Sequence, residues 1–282
     1  TPAFPGLQKQ NTGYAADIGI GVKNTGLFAE LASYGKSKTA FVAGMLMGIG
    51  PRIIFSGLIR SYDQQYHGYY SCPFGEQTRA NNEKGIYSGI QLSLTNHIRL
   101  SAYADFFRHP WIRYRMGMPA EGSDYLILFS VNKPGLPDWH VRYRLKTKPG
   151  NATGSTHLPL LAAHSRQTLR FHINTALSRE WELKNRIEWV RSISNGQNSQ
   201  GYMMYQDLSW NARGRPVTFR LRYTLYHTTD YEARVYAFES NLFSAFSYPA
   251  LSGQGLRLHG HIRYRLNNAL SCYFQFSGNY RT

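Results

Sequence analysis

Stretches of about ten residues in which apolar and polar side chains strictly alternate recur along almost the whole chain, and this period constrains the fold more than any other feature. In "WELKNRIEWVR", Trp181, Leu183, Asn185, Ile187 and Trp189 alternate with Glu182, Lys184, Arg186, Glu188 and Val190. "PVTFRLRYTLY" sets Val217, Phe219, Leu221, Tyr223 and Leu225 against Thr218, Arg220, Arg222, Thr224 and Tyr226. "GLRLHGHIRYRL" sets Leu256, Leu258, Ile262, Tyr264 and Leu266 against Arg257, His259, His261, Arg263 and Arg265. The same rule separates Trp139, Val141 and Tyr143 from His140, Arg142, Arg144 and Lys146. It also separates Leu169, Phe171 and Ile173 from Arg170, His172 and Asn174, and Ile98, Leu100 and Phe106 from Arg99 and Asp105. Successive Cβ atoms of a strand point to opposite faces, so each stretch reads as a strand with one apolar and one charged face. About ten residues is the length of a tilted strand that crosses a bilayer, whereas strands of soluble domains run nearer five or six.

The connections support the same architecture. Short turns are expected at Lys23–Gly26, Gly50–Arg52, Thr95–His97, Lys133–Pro137, Ser178–Glu180 and Ala212–Arg215. Between them fall longer polar loops at Asp63–Lys84, Arg108–Ser123, Lys148–Ser165, Ser192–Gln200 and His227–Arg234. Tight turns at one end and long loops at the other are the asymmetry of outer-membrane barrels. Composition agrees: 17% charged residues, 15% aromatic, 21 Tyr and 26 Gly suit strands and turns in an apolar solvent. No apolar run is long enough for a spanning helix, but a closed barrel also satisfies its backbone in lipid. The expected fold is all-β, a transmembrane antiparallel up-and-down outer-membrane β-barrel of about 14–16 strands. Residues 1–12 form a lead-in and residues 13–282 the barrel. A large soluble β-sandwich or propeller is the competing reading; no blade-length repeat supports a propeller.

With apolar positions toward lipid, Trp139, Trp181, Ile187, Trp189, Phe219 and Leu221 are the expected lipid-facing or girdle residues. The opposite side then lines a lumen. Its expected cations are Arg99, Arg142, Arg144, Arg170, Lys184, Arg186, Arg220, Arg222, Arg257, Arg263 and Arg265, offset by Asp105, Glu182 and Glu188. The formal net charge is +16, and an arginine-lined pore lowers the barrier for anions. A channel, or the membrane component of a transport assembly for anionic solutes or polymers, is one reading. A plugged, non-conducting barrel serving as a scaffold or binding partner is another, because arginines paired with carboxylates are ordinary barrel filling. Nucleic-acid binding or uptake is a further alternative, made doubtful for this segment because a duplex does not enter such a lumen. The expected partners are the bilayer and lipopolysaccharide of a Gram-negative outer membrane, and other outer-membrane proteins or lipoproteins.

Other motifs weigh against chemistry. No Ser and His spacing argues a triad, and no G-x-S-x-G elbow is present, so a non-enzymatic chain is expected. His259 and His261 share a face but lack a further ligand pair, so no metal is expected. Cys72 and Cys272 stand far apart in different contexts, which argues against a disulfide framework, and no cofactor motif is seen.

The run from Asn81 to Phe129, with "LRFHINTALSREWELKNRIEWVR" and "GYMMYQDLSW", resembles the barrel portion of Gram-negative outer-membrane proteins that carry an N-terminal helix-hairpin-helix domain. "FFRHPWIRYR" and "NRIEWVR…GYMMYQD" are the more specific parts of the resemblance, which extends from about Lys9 onward. The resemblance implies further strands and a hairpin domain ahead of this region. Together with an odd count of about fifteen strands, it leads us to expect the C-terminal part of a longer barrel. The DNA-binding role that a hairpin domain suggests does not transfer, because its residues are not in this sequence.

Overall fold

In the computed structural model, residues 12–35, 38–68, 72–112, 117–151, 161–211, 214–241, 247–267 and 270–281 are described, so nearly all of the expected lead-in lies outside the described residues. Among the described residues the chain is built almost wholly of strands. They are β1 (Gly13–Val22), β2 (Thr25–Tyr34), β3 (Thr39–Ile49), β4 (Ile53–Tyr62), β5 (Glu83–Ser93), β6 (Ile98–His109), β7 (Ala120–Val131) and β8 (Asp138–Asn151). There follow β9 (Leu161–Ala176), β10 (Trp181–Ser194), β11 (Gln197–Asn211), β12 (Val217–Thr228), β13 (Val235–Tyr236), β14 (Ala250–Leu251), β15 (Gln254–Arg265) and β16 (Ser271–Arg281). The sheet has 14 strands in chain order, with β13 and β14 set aside as a two-stranded ribbon. Each registered neighbour pairs antiparallel. The fold is therefore an all-β, antiparallel, up-and-down sheet, and with 14 strands the argument from an odd count falls away.

Two connections differ from expectation. The loop expected over Ser192–Gln200 is a two-residue turn, Asn195–Gly196, between β10 and β11. Both residues have positive φ, 51° and 77°, as a type I′ hairpin requires, and Asn-Gly is the dipeptide that adopts this turn at least cost. The strands accordingly run to 14 and 15 residues, longer than the alternation alone suggested. The loop expected over His227–Arg234 is only the start of a longer segment, residues 229–253, which carries a 3-10 turn at Tyr231–Ala233 and the β13–β14 ribbon.

The chain divides into two compact units. The first comprises the described residues up to Gln91, Tyr103–Ser123 and Pro149–Leu161; the second comprises Leu92–Ala102, Asp124–Lys148 and Ala162–Thr282. In the first, register places Phe28, Glu30 and Ala32 beside Gly44, Val42 and Ala40, and these beside Leu58, Arg60 and Tyr62. Asp17 lies opposite Glu30 on the same face. This face is mostly apolar, and Phe28, Leu46 and Ile54 on it are exposed. The other face, with Leu27, Leu31 and Ile59, exposes apolar side chains as well.

Arg60 is a buried charge on the first of these faces. Its Nε donates to Glu83 Oε1 at 2.7 Å and its Nη1 to Asp105 Oδ1 at 2.7 Å, with side-chain exposures of 0%, 1% and 14% for Arg60, Glu83 and Asp105. The backbone N–H of Glu76 donates to the same Glu83 carboxylate, so the connection between β4 and β5 is pinned to the strands by one buried ion network.

In the second unit the two faces differ sharply. Along β12, Tyr223, Leu225 and His227 are exposed while Arg222, Thr224, Tyr226 and Thr228 are buried. Along β11, Tyr202, Met204 and Gln206 are exposed while Met203, Tyr205, Asp207 and Ser209 are buried. On β10, Ile187 is 55% exposed and the adjacent Glu188 only 5%. Charged and polar side chains are thus covered while Ile187, Met204 and Leu225 are exposed, although the covered face also carries Met203, Tyr205 and Tyr226.

Candidate functional site

The strand register of the second unit assembles the polar face from side chains far apart in sequence. One row runs Glu182, Ser209, Arg220, His261 and Gln275 across β10, β11, β12, β15 and β16. The next runs Asn174, Lys184, Asp207, Arg222, His259 and Ser277, starting on β9. A third runs His172, Arg186, Tyr205, Thr224, Arg257 and Asn279. On β8, the His140 ring lies beside that row, its centroid 5.0 Å from that of His172.

Several of these cations have carboxylate partners. Arg170 Nε donates to Glu188 Oε2 at 2.6 Å. Arg222 donates to Asp207, and Arg144 shares Asp124 with Lys146. Arg257 donates to Glu239, which is 1% exposed. Lys184 lies 3.1 Å from Glu182. Arg186 instead stacks over Tyr205, its Cζ 4.9 Å from the ring centroid, and Arg222 stacks over the same ring at 4.2 Å. The Nε atoms of Arg142, Arg186 and Arg263, Nδ1 of His172 and Nε2 of His261 are buried with no hydrogen-bond partner. The polar face is thus a cationic array that its own carboxylates satisfy only in part.

The described residues of the segment between β12 and β15, 229–241 and 247–253, lie against this face as a strap. Val235, Ala237 and Leu251 pack with Val190, Met203, Tyr205 and Tyr226 into a buried cluster. This explains Val190, an apolar residue in the polar phase of β10 that is fully buried. Basic residues grip the strap's backbone and acid. Arg222 donates to Phe238 O, Arg220 Nη1 to Ser240 Oγ at 2.6 Å and Arg166 Nη2 to Arg234 O at 2.6 Å, and His259 Nε2 lies 2.8 Å from Ser240 O. At its start, Asp230 caps the 3-10 turn and accepts from Ser199 Oγ at 2.5 Å. The Ser199 hydroxyl and the N–H groups of Glu232 and Ala233 hold the Asp230 carboxyl below its ordinary range. Gly201 makes room for the strap, since a Cβ there would stand 2.3 Å from Ala233 O.

A cavity of about 520 Å³ lies beside the strap and is lined by Arg220, His261, Arg263, Glu182, Phe238 and Tyr273, among others.

Every expected lumen cation on β8–β15 falls in the polar phase of its strand, with Arg220 and Arg265 exposed there. Arg99 is exposed near the start of β6, and Asp105 belongs to the Arg60 network. Of the expected lipid-facing residues, Trp181 and Ile187 are exposed, while Trp139, Trp189, Phe219 and Leu221 are half-buried on the same apolar side. Trp139 is partly covered by Phe129 and Phe171, with centroids at 5.5 and 6.2 Å. Sequence reasoning missed Asp124, Asp207 and Glu239. Asp207 was legible, since Met203, Tyr205, Asp207 and Ser209 follow the two-residue period of β11. Glu239 carried no local signal, because only the fold-back of the strap brings it to Arg257. Both cysteines are free and exposed.

The expectation of a non-enzymatic chain needs correction. It rested on the absence of any telling spacing between Ser and His, yet β9–β10 pairing brings Ser194 Oγ to 2.6 Å from His164 Nδ1 across 30 residues. In a sheet of this kind, spacing along the chain says nothing about which nucleophiles and bases meet, so the absence of catalysis does not follow.

No protein-family model and no curated protein matches the chain. A solved structure similar to it is OmpT of Vibrio cholerae (in-vitro folded, trimer form), an outer-membrane protein; the two are 10% identical, with a TM-score of 0.43, over 94% of this chain and 99% of that one.

Proposed function

We propose that this chain forms, or forms part of, an outer-membrane β-barrel of a Gram-negative bacterium, and that its Arg- and His-rich face lines a path favouring anions. The observation that carries this reading is the inverted polarity of β10–β12, where apolar side chains such as Ile187, Met204 and Leu225 are exposed and Glu188, Asp207 and Arg222 are buried. In water such a surface is unstable, whereas in hydrocarbon it is the favoured arrangement. Strands of 10–16 residues are long enough to cross a core of about 30 Å when tilted. Bilayer and lipopolysaccharide are the partners that this reading implies. The resemblance to helix-hairpin-helix outer-membrane proteins, and the placement of the chain in a longer barrel, belong to the same proposal. In planar bilayers the reading predicts conductance with a reversal potential on the anion side under a salt gradient. Cation preference, or failure to insert, would refute it.

A second reading has its own support. The strap is gripped by Arg220, Arg222 and Arg257, with Glu239 supplying an internal carboxylate. A strap seated permanently makes the barrel a closed scaffold in an outer-membrane complex. Silent insertion, with co-purification of another outer-membrane protein or lipoprotein in fixed ratio, is the result that favours it.

A further inference from the structure

We infer that the cavity beside the strap binds a sugar-sized organic anion, a ring bearing one acidic group and several hydroxyls. This deepens the proposed anion path and rests on it for the choice of an anionic ligand. The volume, about 520 Å³, lies in the range of small-molecule sites.

Three bases line it: Arg220 and His261, adjacent in register, and Arg263 two residues further along β15. Arg220 Nη1 donates to Ser240 Oγ at the cavity wall, while His261 Nε2 and Arg263 Nε are themselves buried, so it is the remaining nitrogens of these side chains that a ligand would meet. The wall also carries carboxylates. Glu180 accepts from Trp210 Nε1 at 3.1 Å, and Glu182 accepts from Asn174 Nδ2 at 2.7 Å. Carboxylates repel a bare inorganic anion but accept from hydroxyl donors, so the mixed wall fits a ligand that is anionic at one end and hydroxylated at the other.

Aromatic surface completes the match. Arg263 Cζ lies 5.7 Å from the Tyr273 ring centroid and the His261 ring 5.9 Å from it, while Phe238 faces the cavity from the strap. Such faces pack against the apolar side of a sugar ring.

Titration calorimetry on the detergent-solubilised full chain, with glucuronate as the probe, tests the assignment. The expected result is saturable one-to-one binding, with glucose, acetate and inorganic phosphate each markedly weaker. Arg263→Gln should weaken binding about tenfold or more, Arg263→Lys should recover most of it, and Tyr273→Leu should also weaken it. Lys133→Gln, in the exposed connection between β7 and β8, should leave it unchanged. Absence of saturable binding, equal affinity for glucose or phosphate, or indifference to both Arg263→Gln and Tyr273→Leu overturns the assignment. Glucuronate binding by a barrel that does not conduct refutes the channel and leaves the cavity standing. Anion conductance without glucuronate binding does the reverse.

Discussion

The two units of this chain solve the same problem with opposite chemistry. In β2–β4 both faces are mostly apolar, and the buried cation Arg60 is compensated by Glu83 and Asp105. In β9–β15 one face is an Arg and His array in which carboxylates answer some cations and leave others, such as Arg142 and Arg186, without an acid of their own. A compensated buried charge serves the fold, whereas an array left in partial deficit presents a standing demand for acceptors. The contrast is between a buried charge cluster that closes on itself and an array that does not.

The largest expected effect tests the compensated side. Arg60→Met leaves Glu83 and Asp105 buried and unpaired and should cost about 3–5 kcal/mol in urea unfolding followed by tryptophan fluorescence. Arg142→Met should stay within about 1 kcal/mol, since it removes a charge that has no acid of its own. Equal losses at the two sites would break the comparison.

Next in size is the polarity of the second unit. Ile187→Arg, on the exposed apolar face, should cost about 2–4 kcal/mol and reduce assembly into lipid vesicles. Arg186→Ile, one residue away on the polar face, should assemble normally and alter only ion preference. If both assembled equally well, the assignment of the faces would be wrong.

The strap comes third. Glu239→Gln removes the charge that Arg257 holds and should loosen the strap around residues 231–239 by about 1.5–3 kcal/mol, read as faster proteolysis there. Gly201→Leu should expel the same segment by collision with Ala233 O while leaving Glu239 intact. Unchanged protection in both variants would mean that the strap is held by something other than the polar face.

The smallest effect is a pH dependence. The Asp230 carboxyl is held below its unfolded range of about 3.9, so its contribution is present above that value and is lost as pH falls through the lower folded one. Strap proteolysis should therefore rise on acidification below about pH 4, and Asp230→Asn should flatten that rise. An identical profile in the variant would show that Asp230 is not the titrating group.

Much of the second unit was legible because the two-residue period is a local property. Each Cβ must alternate along an extended backbone, so Trp181 through Glu188 already declare two faces, whereas the polar stretch around Asn195–Gly196 reads as a longer loop than the turn it forms. The first unit was less legible, since β3 is apolar in both phases and alternation has nothing to mark.

Thus the sequence by itself determined strands, faces and the basic character of one face. Which cations are answered was decided only in three dimensions. Glu239 meets Arg257, Asp207 meets Arg222, and Asp124 meets Arg144 and Lys146 through strand register or the fold-back of the strap, across separations of 15 to 22 residues. Coulomb energy and hydrogen bonding depend on distance and burial, and neither is a property of a residue's place along the chain.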